Sequence, residues 1–579
     1  MPRCCWRGGS SGEPMIERGR ALEEVSGGHF EVVVIGGGIT GAGVALDAAS
    51  RGYSVALLEG RDFAFGTSSR SSKMVHGGLR YLEQFDIGLV REALLERQLM
   101  VRLAPHLVYP TPYLVPLPVG DGKERMMSLG LNAYDVLAGV GSGKTGRSFR
   151  ERRRLGRPGE AQGSWSPDRH RTIEGSEAVE MVPALADCAP ESAFLFYDCQ
   201  TDDVRLVLTA LGEAERFGAI SLNRALVTGI EPVAGGADTV FFRDGETGEE
   251  HRLTADNVVN ATGVWADQIR PGEIEREEDM PKIAPSRGTH LLLPTEALDM
   301  GDAACVVPAG QDRSIFALPW YGRTLVGTTD VDYPGSLDAI QVPTDDIEYL
   351  LGAINEFFGL TLTDSDLVGA YAGVRPLIST GDPRKSVDIS RRAELFETSS
   401  GMLTITGGKL TTWRRMAQQT VDRIVARAGR EAPCVTAEIP LGMELDPAEI
   451  DPPSGIDRDS VTQLAFRYGH AARKVLALAG ERPEFARPVV PGRPDLMAEV
   501  VLACRQEQAR SISDVLLRRT RLGVTAASSL AQRDDVQALS KVMAAELGWS
   551  ASQREAEVED WLETVLAEGL NPGGRVTAA

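Results

Sequence analysis

The sequence predicts an α/β fold in which a Rossmann-like domain is interleaved with an antiparallel β-sheet domain and followed by an all-helical C-terminal domain. Three observations point there. Near the start a β-branched apolar run stops in three glycines, passes into a small-residue stretch suited to a helix, and is followed by a second apolar run that ends in an acid. Between residues 285 and 330 short β-rich runs alternate with turn residues. Beyond Cys434 proline-rich segments separate long helical patterns. A chain of 579 residues exceeds a single core and suggests two or three domains.

The first run, VVVI at residues 32–35, has the composition of a buried parallel strand and ends in Gly36-Gly37-Gly38. Gly41 completes G-x-G-x-x-G with Thr40 inside it, and the small residues that follow let a helix pack closely on the strand. The amides at that helix start face the turn, so the expected ligand there is the pyrophosphate of a dinucleotide. The second run, residues 53–58, ends in Glu59, about 20 residues after the glycines, where a carboxylate meets a ribose hydroxyl. A carboxylate there favours a free 2′-hydroxyl, which leaves NAD and FAD as candidates.

Composition excludes several classes. A net charge of −21 argues against nucleic acid as a main partner, because a phosphate backbone would be repelled over most of the surface. Seven scattered cysteines, odd in number and without CxxC spacing, indicate neither a metal site nor a disulfide framework and suit a reducing cytoplasm. Residues 1–29 lack the apolar core of a secretory signal and are expected to be a disordered extension. No run of about twenty apolar residues predicts a spanning helix.

After Glu59 comes GRDFAFGTSSRSSKMVHGGLRYLE, in which Thr67, Ser68, Ser69 and Ser72 precede Lys73, His76, Gly77, Gly78, Arg80 and Tyr81. A glycine pair beside Lys, His and Arg suits close approach of backbone amides to a ring system or phosphate. A helix is predicted over residues 89–100. Residues 105–118 carry too many prolines for a central strand or helix and are expected to mark a crossing between layers. Residues 141–171 read as an exposed loop, whose Arg152-Arg153-Arg154 could touch anionic lipid but fits a solvated stretch better.

An amphipathic helix is predicted from residue 201, then β runs at 225–230, 239–243 and 252–260. The last ends in Ala261-Thr262-Gly263 ahead of Trp265, a return of the chain to the cofactor. The β-rich runs of 285–330 are expected to form a sheet laid over the ligand, with His290 either hydrogen-bonded at a strand end or catalytic. Arg375 precedes Pro376, which restricts its backbone to extended geometry. Gly407-Gly408-Lys409 opens a helix near Leu410 and makes another anion site. Helices over 497–521 and 535–567 carry no ligand chemistry and are expected to serve packing or a dimer.

Six ordered motifs carry a resemblance: GGGITGAG, TSSRSSKMVHGGLRYLE, VVNATGVWAD, GTTD, YAGVRPL and ITGGKLTTWRRMA. Together they resemble the FAD-dependent glycerol-3-phosphate dehydrogenases, flavoproteins related to D-amino acid oxidase. The resemblance implies FAD as cofactor, held by the glycine- and hydroxyl-rich segments above. It also implies aerobic-type oxidation of sn-glycerol 3-phosphate to dihydroxyacetone phosphate, with electrons passed to a membrane quinone. The implied setting is a homo-oligomer in the cytoplasm, peripherally attached to the cytoplasmic face of the membrane. By the same resemblance Arg80, Arg375 and Arg391 line the phosphate pocket, and Lys409 lies near flavin and substrate. Where the family has Ile-Thr before the third arginine this chain has Ile389-Ser390, and Arg392 follows, so Arg391 and Arg392 both stand. A base is needed near the substrate hydroxyl, and His76 and His290 are the candidates. An oxidase that uses oxygen, or another FAD enzyme of the fold, remains an alternative. The expected boundaries are 30–105, 180–284 and 366–432 for the cofactor domain, 106–179 and 285–365 for the substrate domain, and 433–579 for the helical domain.

Overall fold

The computed structural model describes residues 17–78, 87–117, 170–269, 281–310, 313–379 and 393–574. Its first sheet is built on the glycine-terminated strand. His29–Ile35 pairs in parallel with Val55–Leu58 on one side and with Glu250–Asn260 on the other, Ile35 facing Leu58 and Asn260. Ile220–Leu222 and Leu403–Gly407 extend the sheet outward, also in parallel. Alternation along the central strand divides the core. Val32 and Val34 pack against the helices Ile39–Ser50, Asp203–Arg216 and Trp413–Ala428. Val33 and Ile35 face a second cluster, built from Phe242, Leu253 and the hairpin Ala225–Glu231/Asp238–Asp244. Burial on both faces is why the strand reads as a continuous apolar run.

A short helix, Arg18–Val25, completes that second face. Ala21 and Val25 are buried beside Phe30, and Arg18 pairs with Asp244. Residues 18–25, part of the extension expected to be disordered, are therefore helical. Eight helical residues in a polar stretch carry little signal of their own; the sheet face supplies their partner.

Among the described residues the second sheet has ten strands and lies on Ile283–Pro294, which pairs antiparallel with Arg323–Gly327 and with Gly369–Ile378. His290 thereby stands opposite Gly327 on one side and Tyr371 on the other. The proline-rich stretch corrects an expectation: Val108–Leu117 is a ten-residue strand, paired along its whole length with Ser192–Thr201. Pro110, Pro112 and Pro116 share one parity, so their missing N–H groups fall on one edge and the odd-numbered residues carry the ladder. On its other side the strand meets Ala304–Pro308 only at Tyr113 and Leu114. Of the arginine-rich loop, residues 141–169 lie outside the described residues, and Arg171–Glu174 forms a strand.

The C-terminal helices pack on this second sheet, with Val515, Leu516 and Trp561 in one cluster with Trp320 and Tyr371. The helix predicted over 497–521 is broken after Met497–Gln506, and Ser511 caps a new one, Ile512–Arg518, through the Asp514 amide. Likewise 535–567 divides at Gly548, φ 70°, with Ser550 capping Ala551–Glu568. Among the described residues no helix is long and apolar enough to cross a membrane.

Candidate active site

A cavity of about 510 Å³ lies between the carboxyl ends of the parallel strands and the second sheet. Its floor is the glycine turn. A Cβ on Gly41 would overlap the Gly36 carbonyl oxygen, and one on Gly36, φ 109°, would stand 2.7 Å from the Ala261 oxygen. Only glycine lets helix, strand and turn approach this closely. The helix Ile39–Ser50 starts at Gly38 without a side-chain cap of its own, and the Ile39 amide donates to Ser68 Oγ at 3.0 Å. Glu59, at the end of the second strand, accepts from the amides of Gly37 at 2.7 Å and Arg61 at 2.8 Å. Burial raises its pKa, partly offset by those two amides. A cradle of glycines, a helix start with no side chain at its N-cap and a fixed carboxylate are what a dinucleotide of the FAD type requires, so the residues present fit that group.

Most sequence-predicted contacts meet here. Gly36, Gly38, Thr40, Glu59, Thr67 and Ser68 line the cavity. So do Ser72, His76, Thr262 and Gly263, and from the last strand Gly407, Gly408, Lys409 and Leu410. Thr67 Oγ1 donates to the Val374 carbonyl at 2.6 Å, and Thr406 Oγ1 to that of Gly263 at 3.1 Å, which ties the lining to both sheets.

Six predicted residues stand behind this surface. Gly37 and Gly41 support the turn, and Gly77 donates its amide to Asp198 at 3.2 Å. Gly78, φ 79°, sits where the described segment ends. Ser69 and Lys73 are buried, and Lys73 Nζ bonds Asp203 and the Ser69 carbonyl, each at 2.7 Å. Burial pushes the Lys73 pKa down to about 7, with nearby Arg521 adding to the effect and Asp203 opposing it. Arg80, Arg391 and Arg392 lie outside the described residues.

The opposite wall carries His290 and Arg375. His290 is buried, stacks on Tyr371 with ring centroids 4.8 Å apart, and holds Ser72 Oγ at 2.9 Å through Nε2. Its Nδ1 is buried without a hydrogen-bond partner. Burial holds its pKa well below the ordinary value, and the charges of Lys73 and Arg375 add to the effect. Arg375 spans Asp330 at 3.1 Å, Thr328 Oγ1 at 3.2 Å and the Thr329 carbonyl at 3.1 Å. Gly288 makes room for it, since a Cβ there would come within 2.5 Å of the guanidinium. His76 is also in the lining, tied through its backbone to Thr411 Oγ1 at 3.2 Å.

Sequence reasoning missed Phe65, Arg70, Gly288, Gly373 and Met416, which also line the cavity. Phe65 and Arg70 sit inside the segment already singled out. Gly288 and Gly373 form one cross-strand pair, and only the sheet register shows that they face each other.

Residues 31–414 match the model of a family described as FAD dependent oxidoreductase, and residues 400–554 one described as the C-terminal domain of alpha-glycerophosphate oxidase. Glycerol-3-phosphate dehydrogenase 1 of Mycobacterium tuberculosis is 39% identical over 514 residues, 86% of this chain and 92% of that protein. The aerobic glycerol-3-phosphate dehydrogenase of Bacillus subtilis is 34% identical over 526 residues, 87% of this chain and 89% of its own. The solved glycerol-3-phosphate dehydrogenase from Bacillus halodurans, complexed with FAD, matches with a TM-score of 0.73 at 27% identity, covering 97% of this chain and 99% of that one. The chain belongs to the FAD-dependent oxidoreductase family, among its glycerol-3-phosphate dehydrogenases.

Proposed function

We propose that this flavoprotein oxidises sn-glycerol 3-phosphate to dihydroxyacetone phosphate and passes the electrons to a membrane quinone, working as a homo-oligomer on the cytoplasmic face of the membrane. The observation that carries the reading is one cavity with a dinucleotide cradle on one wall and, facing it, a neutral histidine beside a fixed arginine. Gly36, Gly38 and the helix start at Ile39 would hold the FAD pyrophosphate, Glu59 its ribose, and Gly263, Gly407 and Gly408 its ring system. The chemistry that FAD supplies when bound is two-electron acceptance from carbon.

Oxidising a secondary alcohol also requires removal of the hydroxyl proton, and His290 suits that role because its environment keeps it neutral. Ser72 fixes the ring through Nε2. Arg375 would bind the phosphate with paired hydrogen bonds, and Lys409 adds a second positive charge. Phe65 and Trp265, with ring centroids 6.4 Å apart, add apolar surface to the lining. Purified holoenzyme given sn-glycerol 3-phosphate should reduce a soluble quinone analogue quickly and consume little oxygen without it. Oxygen uptake as fast as quinone reduction would make the chain an oxidase.

A further inference from the structure

One wall of the cavity is held from the far end of the chain. Phe65, Gly66, Thr67 and Ser68 all line it. On one side of them the buried Asp62 carboxylate accepts from Arg518 Nε at 2.6 Å and from both terminal nitrogens of Arg519, each at 2.8 Å. On the other side the Ser69 carbonyl accepts from Arg521 at 2.8 Å, and Arg70 donates to Glu568 at 2.7 Å. The guanidinium of Arg518 also stands 5.4 Å from the Phe65 ring centre. All four holding side chains come from the C-terminal helices or the turn between two of them, more than 450 residues away in sequence: 456, 457, 452 and 498.

These contacts are placed where they control the wall. Asp62 and the pair Ser69–Arg70 bracket residues 65–68, and within that bracket Ser68 receives the first amide of the helix Ile39–Ser50. Arg521 takes a left-handed backbone conformation, φ 68°, uncommon for a residue with a side chain, and it also approaches Asp203 at 3.4 Å beside Lys73. Each partner is buried: neutralising Glu568 takes the carboxylate from the Arg70 guanidinium, replacing Arg521 leaves the Ser69 carbonyl to Lys73 alone, and removing Arg518 or Arg519 leaves Asp62 one arginine fewer, so the segment has to rearrange.

We infer that the C-terminal helical domain is a working part of the cofactor site: Arg518, Arg519, Arg521 and Glu568 position the 62–70 segment against which FAD lies, so that FAD binding and docking of that domain strengthen each other. These are positioning residues, acting through Asp62, Ser69 and Arg70. The inference rests on the reading that this cavity takes FAD and is independent of the substrate. Coupling of this kind is reciprocal: whatever the domain contributes to FAD affinity, FAD returns to the docking of the domain.

The test follows FAD release from diluted holoenzyme by the recovery of flavin fluorescence, with no substrate present. Glu568→Gln and Arg521→Met should each release FAD at least tenfold faster than the parent. Arg505→Ala, which breaks an exposed ion-pair cluster of the same domain with Glu481 and Glu546, should release it at the parental rate. Release within twofold of the parent in both folded variants overturns the inference, as does an equal acceleration by Arg505→Ala. Should either variant yield no folded holoprotein, hydrogen exchange of the parent decides. Removing FAD should then speed exchange across residues 512–525 relative to residues 537–547, and unchanged exchange across 512–525 overturns the inference.

Discussion

At Arg375 the guanidinium is oriented before any ligand arrives, by Asp330, Thr328 and Thr329. Charge-assisted hydrogen bonds of the kind it would give a phosphate are worth roughly 1.5–3 kcal/mol, so Arg375→Ala should lower kcat/KM for glycerol 3-phosphate about ten- to a hundredfold. Turnover of unphosphorylated glycerol, already poor, should change little; equal proportional loss on both would mean that Arg375 serves the fold. His290 makes a prediction of opposite kind. Its folded pKa lies well below the ordinary histidine value of 6.5, so the unfolded chain takes up the proton first and stability falls as pH drops below about 6.5. Urea unfolding at about pH 5.5 and pH 7.5 should show that difference in the parent and a smaller one in His290→Gln. The same substitution should flatten the acidic limb of kcat/KM, whereas His76→Gln should keep it; the reverse pattern would transfer the role to His76. The glycines and Glu59 were legible in the sequence because each answers a local backbone demand. Lys73 was not: it is a lysine in a polar segment until the fold sets it against Asp203, 130 residues on.

Among the elements, the strand–turn–helix unit was readable because its apolar run, its glycines and its second strand are adjacent in sequence. A single methyl tests it. Gly41→Ala sets a Cβ against the Gly36 carbonyl, a backbone atom that cannot move aside, so the helix must shift. The expected cost is about 1–3 kcal/mol of stability, with weakened FAD retention through dialysis. Retention and melting temperature equal to the parent would contradict the packing described. The Val108–Leu117 strand shows what composition hides: its prolines argue against a strand until their common parity and the partner Ser192–Thr201 are known. The C-terminal helices were legible in period but not in their breaks, since capping by Ser511 and Ser550 depends on single residues inside long apolar patterns.

Across the whole molecule, the two sheets act as a clamp, one supplying the cradle and the other the histidine and arginine, and the helical domain closes on both. The alternation of β-rich runs and helices made this architecture readable, while the order of strands within the second sheet, and the helix Arg18–Val25 on the first, depend on contacts that no local pattern announces. The account's central claim is that electrons from glycerol 3-phosphate enter FAD held in this cavity. It is tested most directly by adding sn-glycerol 3-phosphate anaerobically to the yellow holoprotein and following the flavin absorbance. The account predicts bleaching by glycerol 3-phosphate and none by glycerol at the same concentration. Absorbance that persists with glycerol 3-phosphate, in protein that dithionite still bleaches, would contradict it.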